Sequence, residues 1–210
     1  MKKPPAWRLA LLLVALAAGT AALLLRPRDG GRAEVRLPST LAADAGPALD
    51  LGASPIHLQG DPRWGGELLG GSGEPLRAAG CVVCCLSMAL AHHGVDTDPG
   101  ALNRTLTRLD GFTPRGWVKW EVCEPASGGK ARVHIPDNPT AGDILGALRS
   151  GNPVIVKVML RSGAPHWVLV VGWQGKDYRV KDPLGNGKGL DRLSSIGGDI
   201  LAIRVVEKSK

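Results

Sequence analysis

Residues 81–94 read CVVCCLSMALAHHG. An apolar run of this length, unbroken until Gly94, reads as a helix, and the glycine supplies its stop. The small, turn-prone stretch Arg77-Ala-Ala-Gly80 comes just before, so Cys81 falls on the first turn. A thiol there feels the positive end of the helix macrodipole, which favours the thiolate, the nucleophilic form. Far downstream His166 heads the strand-like run HWVLVVGW, and Asp182 follows another, Tyr178-Arg-Val-Lys181. A thiol, an imidazole able to take its proton and a carboxylate able to hold that imidazole in one tautomer are the parts of a nucleophilic hydrolase site.

Working outward, Ile56 to Gln59 reads as a short extended lead-in, followed by the turn-rich DPRWGGELLGGSGE. Asp98-Pro99-Gly-Ala-Leu-Asn-Arg-Thr-Leu predicts a short helix with proline in its first turn. Residues 111–139 look irregular, with Trp117 and Trp120 expected to cover the core. Thr140 to Arg149 reads as a helix with a threonine N-cap and a stop at Gly151. PVIVKVML, HWVLVVGW, YRVKD and Asp199 to Val206 are four β-branched runs that read as strands. Helices first and strands last predict an α+β domain, the cysteine helix packed on a mostly antiparallel sheet that carries His166 and Asp182. A cleft between the two halves is implied.

The N-terminus is different in kind. Leu9 to Leu25 is a seventeen-residue run without a charge, flanked by Lys2, Lys3 and Arg8 before it and by Arg26 and Arg28 after it. It is expected to be a membrane anchor or signal peptide over residues 1–28. Residues 29–54, rich in Ala, Gly and Pro, read as a flexible linker, and 55–210 as the folded domain. This organisation predicts export, with attachment to the inner membrane facing the periplasm or outside, or secretion if the segment is cleaved.

The formal net charge is +7, but the first 32 residues hold six basic side chains against Asp29 alone. Little excess charge is left for the domain, and no Lys/Arg stripe with interleaved aromatics appears, so nucleic acid is discounted as a partner. Four cysteines, at 81, 84, 85 and 123, are too few and too clustered for a disulfide scaffold. Cys81-Val-Val-Cys84 lacks the strand–turn–helix surroundings of a thioredoxin redox pair, and no second Cys/His pair completes a zinc site. Cys84 and Cys85 read as small buried thiols, although an exported Cys81–Cys84 pair meets oxidants and a bond between them is conceivable.

Several features together resemble one family. They are Leu58-Gln59-x-Asp61-Pro-x-Trp64, then Gly80-Cys81 opening a helix with Ser87-Met88 and His92-His93-Gly94, then Pro99-Gly-Ala-Leu-Asn103. Pro153-Val-Ile-Val, Pro165-His166-Trp-Val-Leu-Val and Val180-Lys-Asp182-Pro183 complete the set. In order and spacing these resemble exported papain-like cysteine peptidases related to the bacteriocin-processing, double-glycine-leader peptidases, over residues 56 to 206. The resemblance implies a papain-like fold and a Cys81–His166–Asp182 site, with Gln59 as oxyanion donor. A glutamine amide is a neutral donor suited to that role. It implies a peptide or protein substrate and no metal or organic cofactor. Cys84 and Cys85 stand where the family more often has Thr and Ser, and Gln59 lies farther from the cysteine than in the bacteriocin-leader enzymes.

Competing readings accompany each residue. Alone, Cys81 could be a structural thiol, and Asp182 before Pro183 a turn residue. His57, His92, His93 and His134 are expected to cap or face solvent. Transglutaminase-like acyl transfer, amide hydrolysis of cell-wall peptides and a non-catalytic binding module are the alternative functions.

Overall fold

Local chemistry sets the helix boundaries. Asp98 caps the helix that starts at Pro99 by accepting from the Ala101 N–H at 2.7 Å, and Thr140 and Asp143 form a reciprocal capping box. The computed structural model describes residues 35–43, 45–52 and 54–210. The expected anchor over 1–28 and the first part of the expected linker lie outside the described residues. Among those described, no helix is long and apolar enough to cross a membrane.

In chain order the elements are β1 (Leu49–Asp50), α1 (Leu76–Ala79), α2 (Cys81–His92), α3 (Pro99–Arg108), a 3-10 turn (Trp120–Val122) and α4 (Cys123–Ala126). Then come β2 (Ala131–His134), α5 (Ala141–Arg149), β3 (Val154–Leu160), β4 (Pro165–Gln174), β5 (Asp177–Lys181), β6 (Asp191–Arg192), α6 (Leu193–Ile196) and β7 (Gly197–Lys208). The strands lie in the order β2-β7-β3-β4-β5-β6 with β1 added against β4, and every pairing is antiparallel. The fold is thus α+β, with a helical part that carries Cys81 packed on an antiparallel sheet that carries His166 and Asp182.

Both faces of the sheet are covered, which explains why β3 and β4 read as nearly continuous apolar runs instead of alternating. On one face Ile155, Leu169 and Val171 pack with Cys84, Cys85, Met88 and Ala89 of α2. On the other, Val154, Val156, Val168 and Val170 pack with Ile144 and Leu148 of α5.

Three parts differ from expectation. Residues 35–43 and 45–52, read from composition as part of a flexible linker, lie along the sheet: Leu41 is buried in the second core. The Leu41 N–H donates to the Lys176 carbonyl at 2.8 Å, and the Leu51 N–H to that of Val171 at 2.9 Å. Widely spaced leucines reaching a remote sheet leave no local periodicity, so composition alone missed them. The stretch 111–139 contains the 3-10 turn, α4 and the four-residue β2, which owes its order to pairing with β7. Within it Trp120 packs on Trp167 at 5.7 Å between centroids, whereas Trp117 is half-exposed under Arg115. Finally, the turn-prone stretch before Cys81 is a short helix, α1.

The seat of β1 depends on one glycine. A Cβ at Gly172 would lie 1.9 Å from the Leu49 carbonyl oxygen, where β4 bulges between Val170 and Gly172. Gly172→Ala must push β1 off the sheet, and overpacking of this kind costs about 1–3 kcal/mol. Urea denaturation should show that loss; an unchanged midpoint would mean that β1 contributes nothing to stability.

Candidate active site

Cys81 begins α2 immediately after α1, with Gly80 as the only residue between. The junction tolerates nothing larger: a Cβ at Gly80 would meet the Leu76 carbonyl oxygen and side chain at 2.4 Å. No side chain caps α2, so none competes for the N–H groups of its first turn. Cys81 is partly exposed, while Cys84 and Cys85, one turn on, are fully buried. Burial pushes both of those thiols well up, and Cys123 up to about 12. All four cysteines are free, so the conceivable Cys81–Cys84 bond is not formed. Cys84 and Cys85 pack the core, and the Cys85 thiol points at the Trp167 carbonyl at 3.4 Å.

The sheet brings the other two groups to this point. His166 is the second residue of β4 and Asp182 directly follows β5, and these strands are neighbours. His166 Nε2 lies 2.7 Å from Asp182 Oδ1, and both side chains are buried. Asp182 Oδ1 also accepts from the Leu184 N–H at 2.8 Å, closing the turn at Pro183. The partly exposed Cys81 at the start of α2 is close enough to the same ring to act on its charge. With Nε2 committed to the carboxylate, Nδ1 is the nitrogen left for the thiol. Desolvation alone would lower the His166 pKa, but the hydrogen bond it makes to Asp182 and the influence of Cys81 outweigh that and raise it to about 9.

That shift has a consequence for stability. A raised folded-state value means the contribution is fully present below the unfolded value of 6.5 and is lost as pH rises through about 9. The stability difference between wild type and Asp182→Asn should therefore be largest near pH 6 and shrink above pH 9 in urea titrations. A difference independent of pH would contradict a charged His166 paired with Asp182.

Gln59, the expected oxyanion donor, is buried, and its Nε2 donates to the Arg77 carbonyl in α1 at 2.7 Å. An amide nitrogen has a second N–H. The amide is thus anchored beside the turn that leads into Cys81, with its Oε1 left without a partner.

His57 was expected in solvent or as a cap and is neither. It is buried, with Nδ1 2.8 Å from Ser87 Oγ in the middle of α2, and its ring packs edge-on against Trp64. Burial lowers its pKa below the usual value, consistent with a neutral ring sharing a hydrogen bond with a hydroxyl. Lys181, which drew no functional reading from the sequence, is also buried, next to Asp182. Among the described residues no group of three or more His, Cys, Asp or Glu side chains is placed to hold a metal ion.

No family model matches the chain, and no curated protein matches it. Among solved structures it is similar to a crystal structure from Bacillus anthracis designated a C39-like peptidase, with a TM-score of 0.49 and 14% identity. That likeness covers 78% of this chain and 100% of the other. It is a likeness of backbone path alone.

Proposed function

We propose that this chain is an exported thiol peptidase of papain-like design. One observation carries the reading: a buried imidazole stands 2.7 Å from a carboxylate and is coupled electrostatically to a partly exposed thiol at a helix start.

In this reading Cys81 gives its proton to His166 Nδ1, while Asp182 holds the Nε2–H tautomer and steadies the imidazolium. The sulfur attacks the peptide carbonyl. The resulting oxyanion is held by the second N–H of the Gln59 amide and by first-turn backbone N–H groups of α2. His166 returns the proton to the departing amine, leaving a thioester on Cys81. A water then gives its proton to His166, attacks the thioester, and releases the free acid and the thiol. Every bond is made and broken by groups of the chain and by water.

The placement of the reaction outside the cytoplasm rests on the sequence, namely the uncharged run Leu9 to Leu25 and its basic flanks. The same reasoning assigns the inner membrane as the surface that the chain is tethered to.

Digestion of a mixed peptide library in H₂¹⁸O tests the reaction class. Hydrolysis puts one ¹⁸O into each new C-terminal carboxylate, visible by mass spectrometry. Amine-linked products without label would assign acyl transfer instead, and an unchanged library would leave a binding module.

A further inference from the structure

A lysine buried among neutral oxygens is uncommon, because removing an ammonium from water is costly unless something on the protein replaces the hydration. Lys181 is 2% exposed. Its Nζ donates to the Ser54 carbonyl at 2.6 Å and to the Ser54 hydroxyl. No carboxylate pairs with it at salt-bridge distance among the described residues, although Asp50 lies near enough to favour its charged form.

What Lys181 holds is a strap, residues 54–59, that joins the two halves of the site. On the sheet side the strap is tied twice: by Lys181 to Ser54, and by the Gln59 N–H donating to the Pro183 carbonyl at 3.0 Å. Those two ties flank Asp182. On the helical side it is tied by His57 to Ser87, by the Gln59 amide to Arg77, and by Trp64 Nε1 donating to the Leu58 carbonyl at 2.8 Å. The strap therefore connects the half that carries Cys81 with the half that carries His166, and its last residue is Gln59.

We infer that Lys181 is a positioning residue: through Ser54 it tensions the strap so that the Gln59 amide stands at the oxyanion of the Cys81 reaction. This rests on the thiol-hydrolase reading above. A strap loosened at Ser54 leaves Cys81, His166 and Asp182 in place, since none of their mutual contacts passes through it. Gln59 is then held only by its ties to Pro183 and Arg77 and by those of His57 and Leu58, so its amide is placed less tightly. Lys181 should thus govern steps that develop an oxyanion and spare those that do not.

Two reactions of Cys81 make that distinction. Acylation by an N-blocked glycine 4-nitrophenyl ester passes through a tetrahedral oxyanion, while alkylation by iodoacetamide is a direct displacement of iodide by the thiolate and forms none. Both rates would be measured on the full chain for wild type, Lys181→Met, Gln59→Ala and the double variant, with Ser54→Ala as a milder cut at the same tie. Lys181→Met should slow acylation roughly tenfold, somewhat less than outright loss of an oxyanion donor. It should leave the alkylation rate and its pH profile unchanged, and the double variant should be no slower than Gln59→Ala alone. Hydrogen exchange at the Gln59 amide should speed up in Lys181→Met and in Ser54→Ala, which reports the strap without any assay.

Wild-type acylation in Lys181→Met, or losses that multiply with Gln59→Ala, would overturn the proposal and leave the hydrolase reading standing. A parallel fall in acylation, alkylation and melting temperature would also overturn it, as the mark of a merely structural lysine. Wild-type protein that neither acylates nor alkylates at Cys81 would overturn both.

Discussion

Cys81→Ala should reduce peptide hydrolysis to background, a loss of at least ~10⁴-fold, or about 5 kcal/mol of barrier, as expected when the nucleophile of a covalent mechanism is removed. The fold should survive, because the side chain is small, partly exposed, and lies at the start of α2 and not within the packed core. Cys85→Ser is the informative partner. Cys85 is fully buried, bonds the Trp167 carbonyl, and has its thiol pushed up by burial, so it is a poor nucleophile. Its replacement should lower stability modestly and turnover little. Full turnover in Cys81→Ala together with its abolition in Cys85→Ser would put the nucleophile one helical turn further on.

Asp182→Asn should lower turnover by roughly tenfold to a hundredfold, or about 1.4 to 2.7 kcal/mol of barrier. The carboxylate does two things through one oxygen, since Oδ1 accepts from His166 Nε2 and from the Leu184 N–H. Asparagine can keep the second contact and the turn before Pro183. It cannot supply the charge that holds the imidazolium. The fall should be smaller than in a serine hydrolase, where the imidazolium forms only during reaction, whereas a thiolate–imidazolium pair can exist beforehand. Steady-state kinetics and a thermal melt separate the roles: unaltered turnover would reduce Asp182 to a turn residue, and a collapse in melting temperature would make its duty chiefly structural.

Much of this arrangement was legible in the sequence because it is written locally. Gly80 before an apolar run announces where α2 starts, and the first-turn Pro99 and the N-cap Thr140 announce α3 and α5. The β-branched runs announce β3, β4, β5 and β7, and with them the strand positions of His166 and the strand end at Asp182. The rest depends on partners distant in the chain. Leu41 is buried only because the β4–β5 hairpin reaches it, and β1 exists only because Gly172 offers a site without a Cβ. His57 is a core residue because Ser87, thirty positions later, meets it. Lys181 carries no local signal of its role. Its hydrogen-bond partner, Ser54, lies more than a hundred positions earlier, and no periodicity encodes that.

The central claim is that Cys81 is an activated nucleophile, and a peptidyl electrophile tests it most directly. The full chain would be treated with a peptidyl fluoromethyl ketone, digested, and mapped by mass spectrometry, beside a His166→Ala control. The expected result is one adduct per chain, on Cys81, formed far more slowly in His166→Ala because the imidazole that takes the thiol proton is gone. An adduct on Cys84, Cys85 or Cys123, or an equal rate in His166→Ala, would contradict the account.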